Sequence, residues 1–181
     1  MRVITGKARG RKLITLSGDE VRPTTDKVKE SVFSIIQFQI EGRKFLDLFA
    51  GSGQMGIEAL SRGAKSACFV DMRKEAVTVV RKNLDALDLN EGAEVRCTDS
   101  FMFLGSTSEK FDVVFADPPY NKGLAARALE LLPRVMNPSG VIVLETADRE
   151  ELPEVSGDFS LDRTYRYGKI KISTYRRTQS E

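Results

Sequence analysis

The 181-residue chain contains no histidine, no tryptophan and only two cysteines. Without histidine it lacks the commonest general base near neutral pH and the commonest metal ligand, which disfavours histidine-based hydrolases and zinc enzymes. Cys68 and Cys97 stand singly in apolar-looking stretches, with no Cys-x-x-Cys spacing. They read as buried, reduced thiols of a cytoplasmic protein, with no disulfide and no metal site. No uninterrupted apolar run approaches the roughly 20 residues that a membrane span requires. The opening "MRVITGKARGRK" has no apolar core such as a secretory leader carries.

What is present is unevenly distributed. The net charge is only +2, yet residues 1–15 carry Arg2, Lys7, Arg9, Arg11 and Lys12 and no acid. The stretch from Arg163 to Ser180 likewise carries six basic residues and no acid. Such stretches are either solvated strand faces or places where polyanions bind.

Several short apolar runs end in Gly, Asp or Pro: "KFLDLFA" (44–50), "SACFVD" (66–71), "AEVRCTD" (93–99), "FDVVFADPP" (111–119) and "GVIVLET" (140–146). All read as buried strands. Helical patterns separate them; in "RKEAVTVVRKNLDALDL", Ala76, Val79, Val80, Leu84 and Leu87 recur at helical spacing. Strands alternating with helices give right-handed βαβ units and a parallel sheet covered on both faces. At the end, "FSLDRTYRYGKIKISTYRR" holds two period-2 runs joined through Tyr167-Gly168-Lys169, a hairpin signal that makes a mixed sheet of about seven strands. At the start, "RVITGKARGRKLITL" reads as a small basic hairpin. After it comes a helix capped by Thr24 or Thr25, with Val28, Val32, Ile35 and Ile36 inward. The whole chain, 1–181, reads as one domain: a basic hairpin extension over 1–20 and a core over 21–181.

"DLFAGSGQMG" follows a strand and opens a helix, and Gly51, Gly53 and Gly56 fit G-x-G-x-x-G. Missing β-carbons let a ligand approach the backbone beside a positive helix N-terminus. Asp71 ends the second strand 18 residues beyond Gly53, where a carboxylate can accept from both hydroxyls of a ribose. This order points to a nucleoside ligand without saying which. Asp99-Ser100-Phe101 ends the third strand; Asp99 either accepts from an adenine amino group, with Phe101 packing the ring, or simply caps the next helix.

The fourth strand ends in Asp117-Pro118-Pro119-Tyr120, and a proline pair cannot continue a sheet ladder. That end faces the same crevice as the glycine loop. A nucleobase exocyclic amine is a poor nucleophile because its lone pair is delocalised into the ring. Two acceptors, the Asp117 carboxylate and the Pro118 carbonyl, can hold its hydrogens and aim the lone pair. Pro119 stiffens the turn, and Tyr120 offers a face on which a flipped base stacks. None of this needs histidine.

"DLFAGSGQMGIEA", "FVD", "CTDS" and "DPPY", in that order, resemble class I S-adenosylmethionine-dependent methyltransferases that modify amino groups. With "MRVITGKARGRKL" and "RPTTDKVKESVFSII", essentially the whole chain is similar to the bacterial family that methylates N2 of guanine 966 in 16S ribosomal RNA. The resemblance implies an α/β, Rossmann-like, seven-stranded, mostly parallel sheet of order 3-2-1-4-5-7-6 with an antiparallel C-terminal hairpin. It implies a pocket for S-adenosylmethionine lined by Asp47, Phe49, Gly51, Ser52, Gly53, Asp71, Met72, Asp99, Ser100, Phe101 and Asp117. The segment that includes Arg22, Thr24 and Thr25 would close over the methionine end, and Asp117 to Tyr120 would hold the guanine amine. The expected partner is 16S ribosomal RNA, within the small subunit or an assembly intermediate, bound at residues 1–15, with no membrane and no metal involved. Adenine-N6 methylation of DNA is the competing reading, since the same four residues suit any exocyclic amine. A nicotinamide-dependent oxidoreductase has only the glycine pattern in its favour.

Overall fold

Five parallel strands carry the centre of the structure, which is described, from a computed structural model, for residues 1–18 and 24–178. They are β1 (Lys44–Leu48), β2 (Ser66–Asp71), β3 (Ala93–Cys97), β4 (Phe111–Ala116) and β5 (Met136–Ala147). The helices between them are α2 (Gln54–Ser61), α3 (Lys74–Leu87), α4 (Ser100–Ser106) and α5 (Leu124–Leu131), and α1 (Asp26–Ile35) precedes β1. Three antiparallel strands follow: β6 (Val155–Ser156), β7 (Phe159–Tyr167) and β8 (Ile170–Arg177). The sheet order is β3-β2-β1-β4-β5-β8-β7-β6. Eight strands therefore stand where seven were expected. The difference is β6, two residues that pair with the outer edge of β7.

Strand alternation sorts the core into two layers. Phe45, Phe69, Val113, Phe115, Val141 and Val143 pack on the side of α1, α2 and α3. Leu46, Leu48, Val70, Val114, Ile142 and Leu144 pack on the other side with Phe103, Leu104, Ala128 and Leu129 from α4 and α5. The same parity carries Asp47, Asp71, Asp117 and Glu145 to the first side, at the carboxyl ends of their strands. A slip of one residue would turn each acid to the opposite face.

Three expectations from sequence do not hold. First, β3 is half exposed, because the topology places it at the sheet edge; Glu94 and Arg96 form an ion pair on it. Cys97, at its end, is exposed for the same reason, whereas Cys68 in β2 is buried. In α3, Val77 takes the fully buried position that the periodicity assigned to Val79. The expected N-terminal hairpin is present but short: Arg2 bridges Lys12, Val3 N–H donates to the Arg11 carbonyl at 2.9 Å and Leu13 N–H to the Met1 carbonyl at 3.2 Å. It does not stand free, because several other backbone groups turn to side chains of distant helices. Ile4 N–H and Thr5 N–H each donate to Glu58 of α2 at 2.9 Å, and Ala8 N–H donates to Ser61 Oγ at 3.0 Å. Ile14 N–H donates to Asn83 Oδ1 of α3 at 2.7 Å. Gly6 sits so close to α2 that a β-carbon there would lie 1.8 Å from the Ser61 carbonyl oxygen. Val3, Ala8 and Leu13 join the main core.

The basic C-terminal strands also look different in three dimensions. Arg166 pairs with Asp148, Arg176 with Asp162 and Arg177 with Asp158. Lys171 donates to the Glu150 carbonyl. Much of that charge is balanced by neighbours distant in sequence.

Candidate active site

The chain leaves β1 through Phe49 (φ 60°), Gly51 (φ 58°) and Gly53 (φ 80°) before α2 begins. Positive φ is costly for an aromatic residue, so the loop is held by its surroundings. The three glycines of the pattern do different work. A β-carbon on Gly51 would meet nothing within 4 Å, so this is where the backbone stands open. On Gly53 it would lie 3.0 Å from Val80 and 3.2 Å from Phe69, and on Gly56 2.3 Å from the Phe69 ring. Those two glycines let α2 lie against β2 and α3. Gly53 accordingly does not line the cleft.

Asp47 is 2 % exposed, and its Oδ2 accepts the Gly56 N–H at 2.9 Å. Burial pushes its carboxyl up from 3.8 to about 8; the Gly56 bond opposes the shift and the neighbouring Asp71 charge adds to it. The folded protein thus holds a proton that the unfolded chain releases near 3.8. This contribution to stability is complete below that value and is lost as pH rises through about 8. Urea unfolding measured from about pH 4 to about pH 9 should show a shallower decline for Asp47→Asn than for the native chain. Parallel curves would mean that Asp47 is ionised in the fold.

Asp71 is buried and densely bonded. Oδ2 accepts from Gly51 N–H at 3.0 Å and from Arg73 Nη2 at 3.1 Å, while Oδ1 accepts from Arg73 N and Nε at 2.9 and 3.1 Å. One carboxylate thus holds the open glycine of the loop and orients Arg73. The guanidinium is half exposed on the cleft side, so a diol can replace it as donor. Asp71→Ala should weaken nucleoside-ligand binding by about 1–3 kcal/mol, the range for losing hydrogen bonds to a charged acceptor. Calorimetry checks this, and an unchanged affinity would remove Asp71 from the site. Asp99 caps α4, with Oδ1 accepting from Phe101 and Met102 N–H at 2.9 and 3.0 Å; Oδ2 takes no part in the cap. Phe101 packs edge-on against Phe49, and the Arg127 guanidinium lies 3.9 Å over its ring. One face of Phe101 is therefore covered by a cation.

These groups line one cleft of about 730 Å³, together with Thr24, Ser52, Met72, Ser100 and Asp117 to Tyr120. Pro118 is buried, Pro119 exposed, and Asp117 and Tyr120 half-buried. Thr25 lies outside the cleft: its hydroxyl accepts from Val28 N–H at 3.3 Å and caps α1. Arg22 lies outside the described residues. Arg2, Lys7, Arg9, Arg11 and Lys12 are all exposed and stand apart from the cleft. Arg2 faces Asp26 at 3.6 Å, and Arg11 donates to the Ala86 carbonyl at 2.7 Å.

The structure adds residues that sequence reasoning missed. Glu145, 2 % exposed, accepts the Tyr120 hydroxyl at 2.5 Å and the Thr24 hydroxyl at 3.3 Å. Gln54, 6 % exposed, donates through Nε2 to the Thr24 carbonyl at 3.1 Å, and its Oε1, though buried, has no hydrogen-bond partner among the described residues. A signal for Glu145 was present, since "GVIVLET" carries an acid within two residues of its end, as the runs of the first, second and fourth strands carry Asp47, Asp71 and Asp117 near theirs. Lys122 and Arg127 complete the rim on the α5 side. Among the described residues no group of three or more His, Cys, Asp or Glu could hold a metal, and no helix is long and apolar enough to cross a membrane.

Sheet order, open glycine loop and acid-tipped strands together define a methyltransferase of the class I type. The chain belongs to the family described as Conserved hypothetical protein 95, which it matches over residues 1–176. It is 42 % identical to Ribosomal RNA small subunit methyltransferase D of Haemophilus influenzae, over 81 % of this chain and 78 % of that one. It is 34 % identical to the protein of the same name from Escherichia coli, over 98 % and 90 %. The solved structure of Escherichia coli yhhF, described as a candidate methyltransferase, superposes with a TM-score of 0.86 at 32 % identity, covering 99 % of each chain.

Proposed function

We propose that the protein transfers a methyl group from S-adenosylmethionine to the exocyclic N2 of a guanine in 16S ribosomal RNA of the small subunit. The carrying observation is the placement of Asp117-Pro118-Pro119-Tyr120 in the same cleft as the open Gly51 and the Asp71 carboxylate. The cleft suits the donor molecule. Gly51 leaves its backbone uncovered, Asp71 offers an acceptor for ribose hydroxyls, and the buried Gln54 Oε1, which has no donor among the described residues, could accept from the methionine ammonium. When bound, S-adenosylmethionine supplies an electrophilic methyl on a sulfonium. The chain does the rest by positioning: Asp117 and the Pro118 carbonyl accept the two amine hydrogens, and Tyr120 stacks the flipped base. Asp117 or water then takes the proton that the amine sheds. The names of the relatives support ribosomal RNA of the small subunit as the substrate class. This reading puts the protein in the cytoplasm with the ribosome, acting on the subunit or an assembly intermediate.

The test supplies labelled methyl donor with small subunits lacking the modification, with naked 16S ribosomal RNA, and with DNA, followed by digestion to nucleosides. Label is expected in N2-methylguanosine from ribosomal RNA. Label in adenine of DNA, or in no nucleoside, would overturn the assignment.

The exposed cations near the start of the chain would hold RNA phosphates. Arg11 is committed to Ala86 and Arg2 faces Asp26, so Lys7, Arg9 and Lys12 are the ones to neutralise. Their joint replacement by glutamine should weaken RNA binding and flatten the dependence of log K on log salt by roughly 2 to 3, about one for each phosphate no longer neutralised. Affinity for S-adenosylmethionine should not change. An unaltered salt slope would make these residues a solvated face.

A further inference from the structure

Tyr120 is more firmly placed than a stacking surface needs to be. Its hydroxyl donates to Glu145 Oε1 at 2.5 Å, a length typical of a hydroxyl on a carboxylate. Glu145 comes from the carboxyl end of β5, next to β4 in the sheet, and is 2 % exposed. A carboxyl group this deep is costly unless it is hydrogen-bonded. Its other oxygen accepts from Thr24, whose carbonyl in turn receives Gln54 of α2. A chain of contacts thus runs from the ring that would receive the base to the helix that follows the glycine loop.

We infer that Glu145 is a positioning residue for methyl transfer: it fixes the Tyr120 ring in one orientation and ties that orientation to Thr24 and the loop side of the cleft. The inference rests on the methyltransferase reading above. It goes further by assigning a function to a buried acid that does not itself line the cleft. What the bond controls is angular tolerance. A half-buried tyrosine turning about its side-chain bonds still offers a face to a base, but not at one height and tilt. A base misplaced by about 1 Å can lose on the order of a hundredfold in rate. A bond at the far end of the ring removes that freedom before the base arrives. Glu145 is well suited to hold it, being rooted in a central strand whose neighbours pack on both sides.

The experiment compares Tyr120→Phe, Glu145→Leu and the double variant. It measures single-turnover methyl transfer to unmodified small subunits at saturating donor and subunit. Tyr120→Phe keeps the ring and removes only the hydroxyl, so it should fold normally and bind S-adenosylhomocysteine as the native chain does. Its turnover should nevertheless fall by about ten- to a hundredfold. Glu145→Leu should fall by a similar factor, and the double variant no further than the worse single, because both changes break one bond. Glu145→Gln, which keeps an acceptor for the hydroxyl, should recover most of the rate. Losses that multiply in the double variant, or a Tyr120→Phe protein with native turnover, would overturn the role given to Glu145. If Glu145→Leu fails to fold, Tyr120→Phe with Glu145→Gln still decides the matter. A native protein that labels no guanine would instead bring down the methyltransferase reading itself, so the two failures are distinct.

Discussion

Asp117→Ala is expected to fold normally and to lose methyl transfer by about a hundred- to thousandfold, the typical loss when one preorganised electrostatic contact is removed. The amine would keep the Pro118 carbonyl but lose the acceptor that turns its lone pair out of the ring plane. Asp117 follows the last residue of β4 and is only half-buried, so little of the core depends on it. The defect belongs in the chemical step. Tyr120→Ala should differ, because losing a stacking surface worth about 1–3 kcal/mol per base weakens RNA binding as well. Single-turnover transfer at saturating subunits separates the two. Near-native turnover by Asp117→Ala would sink the amine-positioning mechanism.

Glu58→Ala should cost the fold more than any of the site substitutions, about 3–5 kcal/mol, the usual result of stranding a buried charge. Glu58 and Lys29 are both fully buried, 3.7 Å apart, and Lys29 also donates to the Arg2 carbonyl at 2.5 Å. Burial pushes the Lys29 ammonium below its ordinary value while Glu58 pulls it back up. Without Glu58 the ammonium loses its counter-charge, Arg62 loses a partner at 2.9 Å, and the Ile4 and Thr5 N–H groups lose their acceptors. Urea unfolding measures the effect. Lys29→Met combined with Glu58→Gln should recover part of the loss, since the fully buried Lys29 charge is then gone. A loss below about 1 kcal/mol would show that the N-terminal segment is held by its apolar contacts instead.

The strand–helix order and the C-terminal hairpin were legible because each strand is a short apolar run with a hard stop. The pair Pro118-Pro119 marks the end of β4 without help from tertiary structure. The glycine pattern was legible as a pattern, but its division of labour was not. That division depends on Phe69 and Val80, which stand on other elements. The half-buried state of β3 was signalled by the alternation in "AEVRC", which a strand covered on both faces does not show, and the topology that places β3 at the edge accounts for it. The N-terminal hairpin was legible, but its anchoring was not. The Ile4, Thr5 and Ala8 N–H groups are satisfied by Glu58 and Ser61, more than 50 residues away, and a local pattern cannot show such a partner. Glu145 is marked in sequence only as an acid at a strand end, because its function lies in a bond with Tyr120 across 25 residues.

Helix α2 has eight residues, all of them buried. Its first turn adjoins the glycine loop, and its last turn, through Glu58 and Ser61, grips the cationic segment. At about 1.5 Å per residue its ends are roughly 12 Å apart, and a rod packed on every side cannot stretch. The protein thus carries a ruler inside it. On the proposed function, phosphates held by Lys7, Arg9 and Lys12 would lie at a set distance from the methyl donor, and a base would enter the cleft only if the fold of the RNA presented it at that distance. Selection among many identical guanines would then rest on spacing alone, with no contact that reads the neighbouring bases.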